Sequence, residues 1–345
     1  MTGFLFTLKS HETRRRLTLA PLQGTLTLAN NLQNGVSVMR KYGVIGLGQV
    51  GATVAYTLVQ HGTVDELVLI DHDEALARAQ KLDLDDASPR LGSTTKIILN
   101  DYAALADAEV LIVASGNIGA IDMTSSKGRF GEYESNQAIV RDIAPKIVAS
   151  GFKGILIDIM NPCDVMTDYL QRMTGFARNR VFGTGTFLDT ARMQKYVGQA
   201  LGTNGKNVAG YVYGEHGNSQ FVAWSTVAVN GQPIANFKAL DLKQLEEDAR
   251  QGAFAVMAGK HYTNFTIATC GVRLAEAVSA DEQLACPVSA FDPDFGTYVG
   301  MPAVIGKNGI ESLIHLELTA AEQDSLASSA KFIKSKVDVL PQAAK

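Results

Sequence analysis

The segment Gly46-Leu47-Gly48-Gln49-Val50-Gly51 follows directly on the apolar run Tyr42-Gly43-Val44-Ile45 and opens a helical pattern from Val50 to Gln60. In a chain with 32 glycines the G-x-G-x-x-G spacing alone carries little weight; set between a strand and a helix it dictates a tight crossing. The first glycine permits the turn, the second lets a pyrophosphate approach the backbone, and the third lets helix pack on strand. The helix N-terminus then offers unpaired N–H groups and partial positive charge to phosphates. Asp71 ends the next apolar run 20 residues after Gly51, where a carboxylate can bind ribose hydroxyls. Its neighbours His72, Asp73 and Glu74 include no Lys or Arg before Arg78, so a 2′-phosphate would be repelled. NAD is therefore expected over NADP. The competing reading is a strand-helix turn with an acidic N-cap.

Further short apolar runs alternate with helical patterns. Glu66–Ile70, Val110–Ala114 and Gly154–Ile159 read as strands covered on both faces, as in a parallel sheet. Glu74–Asp86 and Glu134–Val148 read as helices between them, with Pro145 expected to bend or shorten the second. Strand and helix in alternation predict α/β architecture with right-handed crossovers. After Asn161 the pattern loosens. Thr186–Leu201 reads as a helix, Asn207–Tyr213 as one strand and Leu242–Ala280 as one long helix with a possible interruption. Strands are expected near Val288–Phe291 and Gly300–Ile305, and a closing helix over Ala320–Val337. The predicted organisation is an N-terminal extension over residues 1–38, a Rossmann-type dinucleotide domain over 39–160 and a mixed α+β catalytic domain over 161–345.

Composition narrows the partners. Lys and Arg number 31 against 35 Asp and Glu, a net charge of −4, which disfavours general nucleic-acid binding. No run of about 18 apolar residues is present, so no membrane span is expected. Cys163, Cys270 and Cys286 show neither metal-ligand spacing nor a disulfide framework, which suits a reducing cytoplasm; no metal site is expected. The first 38 residues stand apart, with Arg14-Arg15-Arg16 and Lys9 against the single acid Glu12. They read either as a targeting segment or as an optional upstream start, with Met39 as the natural beginning.

Polar residues of the second half suggest acid–base chemistry. His216, in Gly214-Glu215-His216-Gly217-Asn218, lies in a glycine-flanked loop where a neutral imidazole could exchange a proton with an alcohol. It could equally be a turn histidine. Asp189 and Arg192 share a helix face at i and i+3, as an imidazole-orienting carboxylate and a carboxylate clamp or as an ordinary surface pair. Arg129 follows the glycine-containing stretch Gly116–Gly128, which has the composition of a lid or of a solvated loop. Asn161-Pro162 ends the fourth strand run, at the sheet edge where α/β proteins bind ligands.

Together these segments resemble the lactate/malate dehydrogenase superfamily from Met39 to the last helix. The matching pieces are Val44–Gly51, Asp71, Asn161-Pro162, Gly183–Arg192 and Gly214–Asn218. The resemblance implies that Gly46, Gly48, Gly51 and Asp71 bind NAD, and that His216 is the acid–base residue with Asp189 as its partner. It also implies that Arg192 binds the substrate carboxylate, Arg129 is the mobile-loop arginine, Asn161 orients substrate and cofactor, and Thr263 lines the substrate pocket. A homodimer or homotetramer acting on a small 2-oxo or 2-hydroxy acid is implied as well. No arginine lies between Gly116 and Lys127, and Asp122 is present, unlike the malate-specific pattern. A loop longer than that of ordinary lactate dehydrogenases, with the run Gly214–Trp224, is similar to the L-2-hydroxyisocaproate dehydrogenases. An NAD-dependent L-2-hydroxy-acid dehydrogenase for branched or bulky 2-oxo acids is thus expected. The alternatives are L-lactate dehydrogenase, malate dehydrogenase and a non-catalytic NAD-binding protein. Gln194 and Ala209 stand where sugar-phosphate-activated relatives carry arginine and histidine, so such activation is not expected.

Overall fold

Nearly continuous apolar strands demand cover on both faces, and the fold supplies it. The computed structural model describes residues 39–92, 94–116 and 131–341. Arg129, Asp122 and the 1–38 extension therefore lie outside the described residues. Strands β1 (Lys41–Ile45), β2 (Glu66–Ile70), β4 (Val110–Val113) and β5 (Ile155–Asp158) are buried along their whole length. Removing each Val, Leu or Ile side chain from water contributes roughly 1.5–3 kcal/mol.

These strands lie parallel, joined by β3 (Lys96–Leu99) and β6 (Val181–Gly183), in the order β6-β5-β4-β1-β2-β3. The sequence reading omitted β3 and β6. β3 is an edge strand with Lys96 exposed, and β6 has only three residues, so neither shows a clear apolar period. The strand order reverses between β1 and β4, which opens a crevice at the carboxyl ends of the strands.

The same sheet continues past residue 160. Strands β12 (Leu284–Asp292), β13 (Thr297–Gly306) and β14 (Gly309–Leu313) add antiparallel to β6, making nine strands. The join between β6 and β12 is the single pair Gly183 and Ser289, whereas β12 and β13 run paired from Leu284–Ile305 to Asp292–Thr297.

Helices α1 (Gln49–His61), α2 (Glu74–Ala87), α3 (Tyr133–Ala149), α4 (Cys163–Thr174) and α5 (Phe187–Ala200) follow β1, β2, β4, β5 and β6. Pro145 lies inside α3, which runs on to Ala149, so the expected shortening does not occur. The stretch Asn207–Tyr213 is two short strands, β7 (Val208–Ala209) and β8 (Val212–Tyr213), because Gly210 at φ 110° breaks the extended run. β8 pairs with β9 (Phe221–Val222), while β7 pairs with β10 (Ala228–Val229), which also pairs with β11 (Gln232–Pro233). The long helical pattern divides into α6 (Leu242–Lys260) and α7 (Phe265–Ser279), with His261 in the left-handed region between them. Helix α8 (Ala320–Val337) opens with a capping box of Thr319 and Glu322. One apolar core surrounds the large sheet, and a smaller one, including Met193, Val197, Val212 and Val229, lies under α5 and the short strands.

Candidate active site

The glycine turn sits at the carboxyl end of β1. Gly46 has φ 91°, and a Cβ on it would stand 2.6 Å from the Ser115 backbone. A Cβ on Gly51 would stand 1.7 Å from the Gly46 carbonyl oxygen, while one on Gly48 would meet nothing within 4 Å. The turn is thus tight beneath and open above Gly48, where α1 begins with no acidic residue in its first turn. That open face suits phosphates.

Asp71 closes the turn from β2. Its Oδ2 accepts from the Leu47 N–H at 2.6 Å and its Oδ1 from the Asp73 N–H at 2.9 Å. Capping of α2 falls to Asp73, whose carboxylate accepts from Ala75 and Leu76 N–H. The N-cap of α2 is thus Asp73, and Asp71 instead braces the glycine turn at the end of β2. Asp71, Asp73 and Glu74 line a cavity with Asn100, Tyr102 and Lys146, whose ammonium pairs with Asp142 at 2.7 Å.

A second cavity adjoins the first at Gly48, Ala114, Ser115 and Gly116. It brings together Asn161, Arg192, His216 and Thr263 from four separate stretches of chain. Asp189 enters from the first turn of α5 and His216 from the loop after β8. His216 Nδ1 lies 2.5 Å from Asp189 Oδ2, and Arg192 Nη1 donates to Asp189 Oδ1 at 2.9 Å. Asp189 is only 1% exposed, so the pair with Arg192 is no surface ion pair. A carboxylate at Nδ1 favours the tautomer protonated on that nitrogen, in which Nε2 is the ring atom able to accept a proton.

Behind the cavity wall the backbone is pinned. The His216 N–H donates to Asp164 Oδ2 at 2.8 Å, and Asn136 Nδ2 donates to the Asn161 carbonyl at 2.6 Å. Asp158 Oδ1 accepts from Met160 N–H at 3.0 Å and its Oδ2 from Thr167 Oγ1 at 2.9 Å. Full burial pushes both Asp158 and Asp164 up to about 7. Burial likewise raises the Cys163 thiol well above its ordinary value, leaving a poor nucleophile on the wall.

Several lining residues escaped the sequence reading. Glu132 is buried at the start of α3, and Leu188, Ala253, Met257 and Ile267 form an apolar wall. The i,i+4 spacing of Ala253 and Met257 on one face of α6 is the available signal. Away from the cavities, Gln194 Nε2 donates to the Val208 carbonyl at 2.9 Å, which ties α5 to β7. Among the described residues no group of three or more His, Cys, Asp or Glu is placed to hold a metal ion, and no helix is long and apolar enough to cross a membrane.

The chain is similar to known proteins over most of its length. Residues 40–183 match the family model described as lactate/malate dehydrogenase, NAD binding domain, and residues 186–342 match its alpha/beta C-terminal domain. The L-lactate dehydrogenase 1 of Bifidobacterium longum is 35% identical over 309 residues, covering 86% of this chain and 96% of that relative. The L-lactate dehydrogenase of Deinococcus radiodurans is 34% identical over 302 residues, covering 85% of this chain and 97% of its own. Among solved structures, the Cryptosporidium parvum lactate dehydrogenase complexed with lactic acid and nicotinamide adenine dinucleotide superposes with a TM-score of 0.82 at 31% identity. That match covers 89% of this chain and 99% of the other.

Proposed function

We propose that this chain, which belongs to the lactate/malate dehydrogenase family of NAD-dependent oxidoreductases acting on CH–OH groups, is an L-lactate dehydrogenase that runs mainly as a 2-oxo-acid reductase. The observation that carries the reading is the buried Asp189 carboxylate, shared between His216 Nδ1 and Arg192, two residues that line a cavity opening onto the glycine turn. The lactate names of the relatives favour pyruvate over the branched acids expected from the loop, whose residues 117–130 lie outside the described residues.

The residues present fit NAD, because the open face of Gly48, the N-terminus of α1 and Asp71 lie along two adjoining cavities. We assign Gly46, Gly48, Gly51 and Asp71 to its binding. When bound in reduced form it supplies the hydride to C2 of the substrate. Arg192 holds the substrate carboxylate with its guanidinium, oriented by Asp189. Asn161, its carbonyl fixed by Asn136, orients the reacting groups, and Thr263 closes the pocket beside them. His216 Nε2 gives its proton to the carbonyl oxygen as the alcohol forms, and Asp189 stabilises the ring while it is charged. We assign to Arg129 the polarisation of the ketone from the loop. Between reductive turnovers the neutral ring regains its proton from solvent, and in the oxidation direction Nε2 takes the proton from the alcohol instead.

The test is two measurements on the purified protein. His216→Asn should lose turnover by about a thousandfold or more while still binding NADH, since the proton donor goes but the cofactor cavity stays. Ranking pyruvate, 2-oxoisocaproate, phenylpyruvate and oxaloacetate by kcat/KM should place pyruvate first. Preference for 2-oxoisocaproate or phenylpyruvate would replace lactate by a bulkier acid, and unimpaired His216→Asn would overturn the whole assignment.

A further inference from the structure

The loop Gly214–Gln220 takes support from α8, a helix none of whose residues lines either cavity. Ser329 of α8 is fully buried, and its Oγ accepts from the Glu215 N–H at 2.6 Å. The same oxygen lies 2.8 Å from Ser219 Oγ. Ser219 Oγ in turn donates to Glu215 Oε2 at 3.0 Å. A hydroxyl has a single proton, so with Ser219 donating to the carboxylate, Ser329 must donate to Ser219. The result is a closed ring: Glu215 backbone to Ser329, Ser329 to Ser219, Ser219 to the Glu215 carboxylate.

Every hydroxyl in the ring uses its one proton, and the acceptor at its end is the Glu215 Oε2. Glu215 Oε2 also accepts from the Asn218 and Ser219 N–H groups at 2.9 and 2.8 Å, which winds the loop around the same carboxylate. The helix comes this near only because residue 214 is glycine. A Cβ there would stand 2.8 Å from Ser329 Oγ, and its φ is 93°. The ring grips the chain at 215 and 219, one residue before and three after His216, while Asp164 holds the His216 N–H from α4.

We propose that Ser329 is a positioning residue: from the last helix it sets the loop so that the His216 ring meets Asp189. The inference rests on His216 being the acid–base residue. Its failure and that of the parent reading give different results.

The experiment is single-turnover oxidation of bound NADH by saturating pyruvate, followed by rapid mixing in wild type, Ser329→Ala and Ser219→Ala. The observed rate reads chemistry in each intact site, and the amplitude reads how many sites are intact. Ser329→Ala should slow the rate about ten- to a hundredfold, the scale of a small misplacement of reacting groups, with NADH affinity unchanged. Ser219→Ala opens the ring from a half-buried position and should slow the rate in the same direction, which serves if Ser329→Ala does not fold. A native rate with only reduced amplitude would mean that the ring supports folding alone, and would overturn the proposal. A native rate in Ser219→Ala would overturn it too. Turnover that survives in His216→Asn would instead overturn the acid–base assignment beneath it.

Discussion

Asp158→Asn should make the protein more resistant to alkaline conditions. The wild-type carboxyl is fully buried, and raising it from 3.8 to about 7 means that ionising it inside the fold costs about 4 kcal/mol. The sign follows from proton counts. Between about pH 4 and pH 7 the native state holds a proton here that the unfolded chain has released, so stability falls as pH rises and levels off above 7. Asparagine is neutral throughout and removes that dependence. Its Oδ1 can keep the Met160 N–H, and its amide can donate to Thr167 Oγ1, which still donates to the Cys163 carbonyl at 2.8 Å. The stability advantage of Asp158→Asn over wild type should therefore grow by about 1.4 kcal/mol per pH unit from pH 4 to 7, then stay flat. Urea unfolding followed by the fluorescence of the single tryptophan, Trp224, at pH 5, 6, 7 and 8 measures it. A difference between variant and wild type that does not change with pH would show that Asp158 titrates normally, and would refute the reasoning.

Other outcomes follow from single contacts. Gly48→Ala should fold with near-native stability yet bind NADH at least tenfold more weakly in a fluorescence titration, because its methyl group enters the space above the turn. Gly51→Ala should instead lower Tm sharply, as its Cβ meets the Gly46 carbonyl at 1.7 Å. Asp189→Asn should reduce kcat by about 10²- to 10⁴-fold, since the amide can no longer fix the Nδ1–H tautomer or carry the charge opposite the ring. Fructose 1,6-bisphosphate should leave the KM for pyruvate unchanged, with Gln194 occupied by the Val208 carbonyl.

The parts of the fold that could be read from sequence are those whose local chemistry is sufficient. The glycine turn, the apolar strands and Asp71 announce themselves within about thirty residues, the span of one βαβ unit. Asp189 and Arg192 could be placed on one helix face by spacing, but their burial could not, because it depends on α6 and α7 covering them. The contact of Asp189 with His216 joins two elements 27 residues apart, and no periodicity encodes it. Family resemblance, not spacing, singled those residues out. Asp158 and Asp164 do not stand out, because a buried acid and an exposed one look alike in a sequence. Ser329 was invisible for the same reason, an unremarkable serine in an amphipathic helix. The strand omissions have a different origin: β6 is too short for a period of two, and its place is set by neighbours on either side.

The seam between β6 and β12 carries a mechanical consequence. Under a load across the nine-stranded sheet, a join of one residue pair parts before one of nine, since the hydrogen bonds of a ladder share tension. Thr184, next to the seam residue Gly183, lines the cavity that holds His216 and Arg192. The weakest hydrogen-bonded join of the sheet thus runs beside the wall of the cavity that holds His216 and Arg192. A stretched molecule should lose turnover while most of its sheet is still intact.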